Sequence, residues 1–458
     1  MPIQQSRRLL WVVFGIVGCV RATLMQAQEP SPKQEATNLL RQAGQLVNQI
    51  PEPQRMSAAA NIGGQLAAAG DFSGALAMAR SLTRPKDRGA ALGSIAYSLD
   101  YQGRQEEALQ LLTEVSSEQA GTSYSILAKS HADKKDFGVA LQLAHRIEYD
   151  EPARREEALL AIAKSQWEAG KRDGALSTMR EALEVAEQAR EKEPQMSILL
   201  LGIARTQKEI GMSSETQATL TEYSEFVRER KDEGGLSCLA VTLADMGDIR
   251  GAMEIIGELP KGFNRDSALG VTATNMAKAG DLREALETVS KVSHQNTRDI
   301  FLRTIAVQEG RDGHALSALE SVQVVPSIAD RADALATLAA EQADKSDPAA
   351  RETIELAWEM ANQPGVDVPE HVFGYIATIR VELGDMTEAR KVLQRLSADG
   401  RTWPLWNITA SLAESGDKAG ALSLANEEAE AQPKAYALLG TATGILHRLK
   451  AEKETKKQ

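Results

Sequence analysis

The chain has 458 residues, a formal net charge of −12, 43% apolar residues and only 4% aromatic residues. The acidic balance argues against a general binder of phosphate backbones, and the scarcity of rings argues against a base-stacking platform for nucleic acid. With only Cys19 and Cys238, there is no disulfide framework and no cysteine-based metal spacing.

Residues 1–27 read as an export signal. Arg7-Arg8 precede an apolar stretch from Leu9 to Val20, and Ala22 or Ala27 could end it. The apolar run is about a dozen residues, whereas a spanning helix needs about 20, so no integral membrane domain is expected in the mature chain. Three forms of export remain open. Simple secretion is the leading one. Ile16-Val17-Gly18-Cys19 also resembles a lipoprotein box, which would make Cys19 the lipidated mature N-terminus and provide a lipid anchor. Ser6-Arg7-Arg8-Leu9-Leu10 loosely resembles a twin-arginine signal.

Residues 28–54 comprise a linker and an N-terminal capping helix, with Leu39, Leu40, Ala43, Leu46, Val47 and Ile50 at helical spacing. Over 55–432 a Gly-x-x-x-x-Ala-Leu phrase recurs every 30 to 41 residues. It reads Gly70…Ala75-Leu76, Gly103…Ala108-Leu109, Gly170…Ala175-Leu176, Gly280…Ala285-Leu286, Gly310…Ala315-Leu316 and Gly416…Ala421-Leu422. Weaker copies start at Gly247 and Gly384, and Lys135 replaces the glycine in another. Glycine suits a helix C-terminus, and the aspartate that follows at Asp71, Asp248, Asp281, Asp385 and Asp417 is a ready N-cap. The period therefore predicts about eleven antiparallel helical hairpins. The fifth, around Gly211, is irregular, with Thr216 where alanine is expected. The ninth has lost its glycine and turns at Asp344 to Pro348. Residues 433–449 read as a C-terminal capping helix without a partner, and 450–458 as a frayed, charged tail.

With Gly103 at the turn, a small residue of the first helix falls at Ala96. The same frame gives Ile62-Gly63, Leu127-Ala128, Ile162-Ala163, Ile203-Ala204, Leu239-Ala240 and Ile376-Ala377. Pro152 and Pro433 fall where a late proline is expected. This pattern resembles the tetratricopeptide repeat in degenerate form, with most aromatic positions replaced. A HEAT-like solenoid is the structural alternative. The resemblance implies an all-α, right-handed α-solenoid that binds a protein or peptide partner, with no cofactor and no nucleic acid.

No metalloprotease His pair, phosphate-binding glycine loop or nucleophile elbow occurs in the sequence. The chain is accordingly expected to be a non-enzymatic scaffold; the alternatives are a lipid-anchored envelope assembly factor and, behind it, an enzyme whose solenoid carries an unrecognised site. Lone histidines such as His131 and His145 read as structural, and Cys238 as packing. In tetratricopeptide-like arrays the residue after the small position faces the inner groove. Here that places Tyr97, Lys129, Lys164 and Arg205 there, with Tyr101, Trp167 and Lys208 about a turn further on. Stacked hairpins would align them into a basic, aromatic-edged stripe able to hold an acidic or extended peptide. Trp403 and Trp406, either side of Pro404, form a second candidate patch.

Overall fold

The computed structural model describes residues 30–148, 151–311 and 315–455, and no strand occurs among them. The segment expected to be an export signal, with Cys19, and also His314 and the last three residues lie outside that set. A lone helix, α1 (Pro32–Leu46), comes first. Eleven hairpins follow, each with a first (A) and a second (B) helix. They are α2 (Gln54–Ala68) with α3 (Phe72–Ser81), α4 (Pro85–Tyr101) with α5 (Gln105–Leu112), α6 (Ser117–Asp133) with α7 (Phe137–His145), and α8 (Pro152–Glu168) with α9 (Arg172–Lys192). Next are α10 (Leu199–Glu209) with α11 (Ser213–Glu229), α12 (Glu233–Asp245) with α13 (Ile249–Glu258), and α14 (Phe263–Lys278) with α15 (Leu282–Ser290). The array continues through α16 (Gln295–Arg311) with α17 (Ala315–Gln323), α18 (Ile328–Asp344) with α19 (Ala350–Ala361), and α20 (Glu370–Glu382) with α21 (Met386–Leu393). The last hairpin is α22 (Ala398–Ser415) with α23 (Lys418–Glu427), and α24 (Ala431–Thr455) ends the chain.

The repeated phrase does what its chemistry requires. Gly70 takes φ 90° at its turn, a conformation that carries a Cβ penalty in other residues. Lys135 (φ 65°) and Ser346 (φ 56°) fill the same role where glycine is missing. The Asp71, Asp248, Asp385 and Asp417 carboxylates accept the N–H of Gly74, Gly251, Glu388 and Gly420 at 2.9–3.2 Å, while Asp281 caps without a side-chain bond. Ala75, Ala108, Ala175, Ala285 and Ala421 of the phrase are buried, as are Ala96, Ala128, Ala163, Ala204, Ala240 and Ala377 of the A helices. These methyls let helix backbones approach closely. Thr216 is buried too and returns its hydroxyl to the Met212 carbonyl at 2.8 Å.

Gly310 departs from the frame. It is buried inside α16, where a Cβ would run into Leu338 of α18, so it serves helix packing and not a turn.

The larger difference is at the ends. The C-terminal helix has a partner: α24 packs along α1 as an A helix packs on its own B helix, and also against α22 and α23. The side chains of Ala36, Leu39, Leu40 and Ala43 from α1 are buried, and Ala435 to Ile445 of α24 are buried on every side. Lys418 pairs with Glu35 at 2.8 Å, and Gln54 donates to Asp399 at 3.4 Å, both bridging the two ends of the chain. The N- and C-terminal helices together form a twelfth, split hairpin that closes the array into a ring. Helical structure runs on through Thr455, so 450–455 are not a frayed tail.

Successive A helices pack against one another all the way round, whereas successive B helices barely touch. A two-layered ring with one layer tight and the other splayed curves with the tight layer inside. The A helices therefore form its inner wall.

Candidate functional site on the inner wall

Two pockets sit on that wall, and both are lined mainly by A helices. The first, ≈ 600 Å³, spans α2, α4 and α6. Its base is small or hydroxylic (Gly64, Gly93, Ser94, Ser123), and Met56, Tyr97 and Ile126 expose apolar surface at it. No charged side chain lines it. The second, ≈ 1090 Å³, spans α18, α20, α22 and α24. The two lie on either side of the ring's seam.

The second pocket contains the tryptophan pair. Trp403 and Trp406 lie with ring centroids 4.7 Å apart, tilted by 57°, and Trp403 is 59% exposed. Pro404 sits inside α22 between them. Tyr375 stands edge-on to His371 at 6.3 Å. The α20 and α22 helices approach closely beside it, Gly374 facing Pro404 with no side chain between them. Four carboxylates line the cavity: Asp344, Glu382, Asp399 and Glu414. Asp399 accepts from Gln432 at 2.7 Å, and Glu414 lies 3.6 Å from His447. Burial, then the nearby Asp344 charge, pushes the Glu382 carboxyl above its ordinary range. Burial and Arg303 push His371 below its own, which favours the uncharged ring.

The residues of the expected basic stripe do lie on consecutive A helices, but their charges are taken up. Each base reaches forward to the next hairpin: Lys129 to Glu157 at 2.5 Å, Lys164 to Glu209 at 2.6 Å, and Arg205 to Asp245 at 2.7 Å. Lys208 donates to the Met246 carbonyl. Trp167 is half-buried beneath Arg172, whose guanidinium stacks 3.5 Å from its ring centroid. The row is a ladder of ion pairs stitching hairpins together, not a free cationic surface. Tyr97 lines the first pocket, and Tyr101 is exposed with the Lys134 ammonium 5.4 Å from its ring.

His131 is buried on Asp100 at 2.9 Å, and His145 meets Glu181 at 2.9 Å. Burial, with Asp232 nearby, pushes the half-buried Cys238 thiol above its usual value, a setting that disfavours thiolate reactivity. Among the described residues no group of three His, Cys, Asp or Glu side chains is placed to hold a metal, and no helix is long and apolar enough to cross a membrane.

The sequence pointed to Tyr97, Trp403 and Trp406 but not to His371, Tyr375, Glu382 or His447. Tyr375 was within reach: it lies two residues before the small Ala377, where Ile126 lies relative to Ala128.

No family model matches the sequence, and no curated protein matches it. Among solved structures, Ton1535 from Thermococcus onnurineus NA1 is 20% identical, covering 66% of this chain and 98% of its own, at a TM-score of 0.24. A human IFIT1 dimer with m7Gppp-AAAA is 14% identical over 81% of this chain and 95% of its own, at 0.26. A circular tandem repeat protein with novel repeat topology is 14% identical over 93% of this chain and 100% of its own, at 0.17. Scores this low leave the fold assignment resting on the helices themselves. On their evidence the chain is a tetratricopeptide-like helical repeat protein.

Proposed function

We propose that this ring is a non-enzymatic scaffold that holds a segment of a partner protein against its inner wall. The observation that carries the reading is the placement of the two pockets. Both lie on the A-helix wall, and the exposed rings at them, Tyr97, Tyr375 and Trp403, occupy positions that do not repeat along the chain. Repeated residues hold the hairpins together, so non-repeated exposed rings are the groups free to recognise something. A wall preformed by the closed ring loses little freedom on binding.

A photo-crosslinking residue placed at Tyr97 or Tyr375 should join to one and the same partner in native extracts. The same residue at Leu176 or Leu356, exposed on outer helices, should not. Equal capture from both layers would count against the reading.

The N-terminal sequence supports placing this scaffold outside the cytoplasm, by simple secretion in preference to a lipid anchor. Fractionation of wild type and Cys19→Ala should then give the same soluble, exported protein. Membrane retention lost on removing Cys19 would show the lipid-anchored form instead, that of an envelope assembly factor.

A further inference from the structure

We infer that the larger pocket, between Trp403, Tyr375 and the carboxylates of α18 to α24, is the seat for a basic side chain, arginine or lysine, of an extended partner peptide. This rests on the inner-wall reading above and names the chemistry of one part of it.

Three independent features converge. The first is the rings. The Trp403–Trp406 pair and Tyr375 present π-faces and edges to one cavity, and an organic cation is held over such faces within about 6 Å. The second is charge. No Lys or Arg lines the cavity, while Asp344, Glu382, Asp399 and Glu414 do. Elsewhere on this wall carboxylates are answered by the neighbouring hairpin, as Glu157, Glu209 and Asp245 are. Among the described residues no such cation pairs with Asp344 or Glu382; burial, and after it the Asp344 charge, raises the Glu382 carboxyl above its ordinary range. A ligand's positive charge would supply what the ladder supplies elsewhere. The third is that one of the pocket's two histidines does not compete for these carboxylates, the other, His447, standing 3.6 Å from Glu414. His371 is turned to Asp333 at 3.1 Å and is held towards its neutral form.

Size and surroundings favour a peptide over a free small cation. At ≈ 1090 Å³ the cavity is at or above the roughly 300–1,000 Å³ that small molecules fill, and it runs across four helices. A single guanidinium would leave most of it empty. The uncharged slot at Tyr97, across the seam, suits the neutral remainder of an extended segment.

The test uses the full chain carrying 5-fluorotryptophan, with Trp403→Phe to assign the resonance. The probe is acetyl-Gly-Arg-Gly-Arg-Gly-amide, compared with its citrulline counterpart, which keeps the shape and loses the charge. The arginine peptide should shift the Trp403 signal and bind about ten-fold tighter than the citrulline peptide. Glu382→Gln combined with Glu414→Gln should erase that preference while circular dichroism stays unchanged, both residues being replaced by isosteres. Equal affinity for the two peptides would overturn the cationic assignment and leave the inner-wall scaffold standing. Tetramethylammonium binding as tightly as the arginine peptide would overturn the peptide assignment. No shift with any probe, while Tyr97 and Tyr375 still crosslink to a partner, would sink this inference alone. Loss of crosslinking as well would sink both.

Discussion

Replacing Gly440 and Gly444 together by valine should open the ring. These glycines lie one turn apart on α24 and face α22. A Cβ at Gly440 would press into the Trp406 carbonyl oxygen, and one at Gly444 into the Ala410 carbonyl oxygen. Both obstacles are backbone, which cannot turn aside as a side-chain end can. Thr409 reinforces the close approach with a hydroxyl 2.9 Å from the Ala437 carbonyl. Forcing the two helices apart displaces α24 from α22 and with it the surface that receives α1. Overpacking of this kind costs about 1–3 kcal/mol per site, so the double variant should lose about 2–6 kcal/mol in all. Small-angle scattering should show a larger radius of gyration, and the melting temperature should fall. Gly257→Val, at a position with nothing within 4 Å of its Cβ, is the control. A double variant with wild-type dimensions and melting temperature would refute the closure.

The second large effect concerns Glu156, 6% exposed on α8. Its Oε1 has no hydrogen-bond partner and lies 2.7 Å from where a Cβ on Gly202 of α10 would be. Burial, and secondarily the neighbouring Glu157 charge, pushes its carboxyl from 4.5 up to about 8. In the unfolded chain the proton leaves near the lower value. Between about 4.5 and about 8 the folded protein therefore binds more protons than the unfolded one, and stability falls as pH rises through that window. The full loss is roughly 3–5 kcal/mol at about 1.4 kcal/mol per pH unit. Glu156→Gln carries no such charge. Denaturant titrations should match the wild type near pH 4.5 and show the variant several kcal/mol more stable at pH 8. Parallel stability curves over that range would show that Glu156 is ionised without penalty.

The hairpins were legible because glycine, aspartate and alanine each act locally. A turn needs a positive φ, a helix start needs an acceptor, and a close crossing needs a methyl group, so one copy of the phrase contains its own reasons. Gly310 shows the limit of that logic, since the same residue type also serves a helix crossing. The closure was not legible from any phrase, because it depends on curvature accumulated over eleven hairpins. One local trace of it existed: from Ala435 to Ile445, α24 has no polar face, which marks a helix surrounded on several sides. At the site, the frame placed Lys129, Lys164 and Arg205 correctly on the A helices, yet their charges could not be judged singly. Their partners Glu157, Glu209 and Asp245 stand 28 to 45 residues downstream, and only the stacking shows that each base is spent on the next hairpin. The tryptophans were legible because nothing in the repeat asks for them.

The split twelfth hairpin changes how such an array can come apart. An open solenoid has two terminal repeats, each held from one side, and loses them first because breaking one interface is enough. Here neither terminus is terminal in space. Any hairpin that leaves must break the interfaces on both its sides at once. Fraying from the ends, the ordinary escape route of repeat proteins, is closed to this one, and its unfolding is pushed towards a single cooperative step.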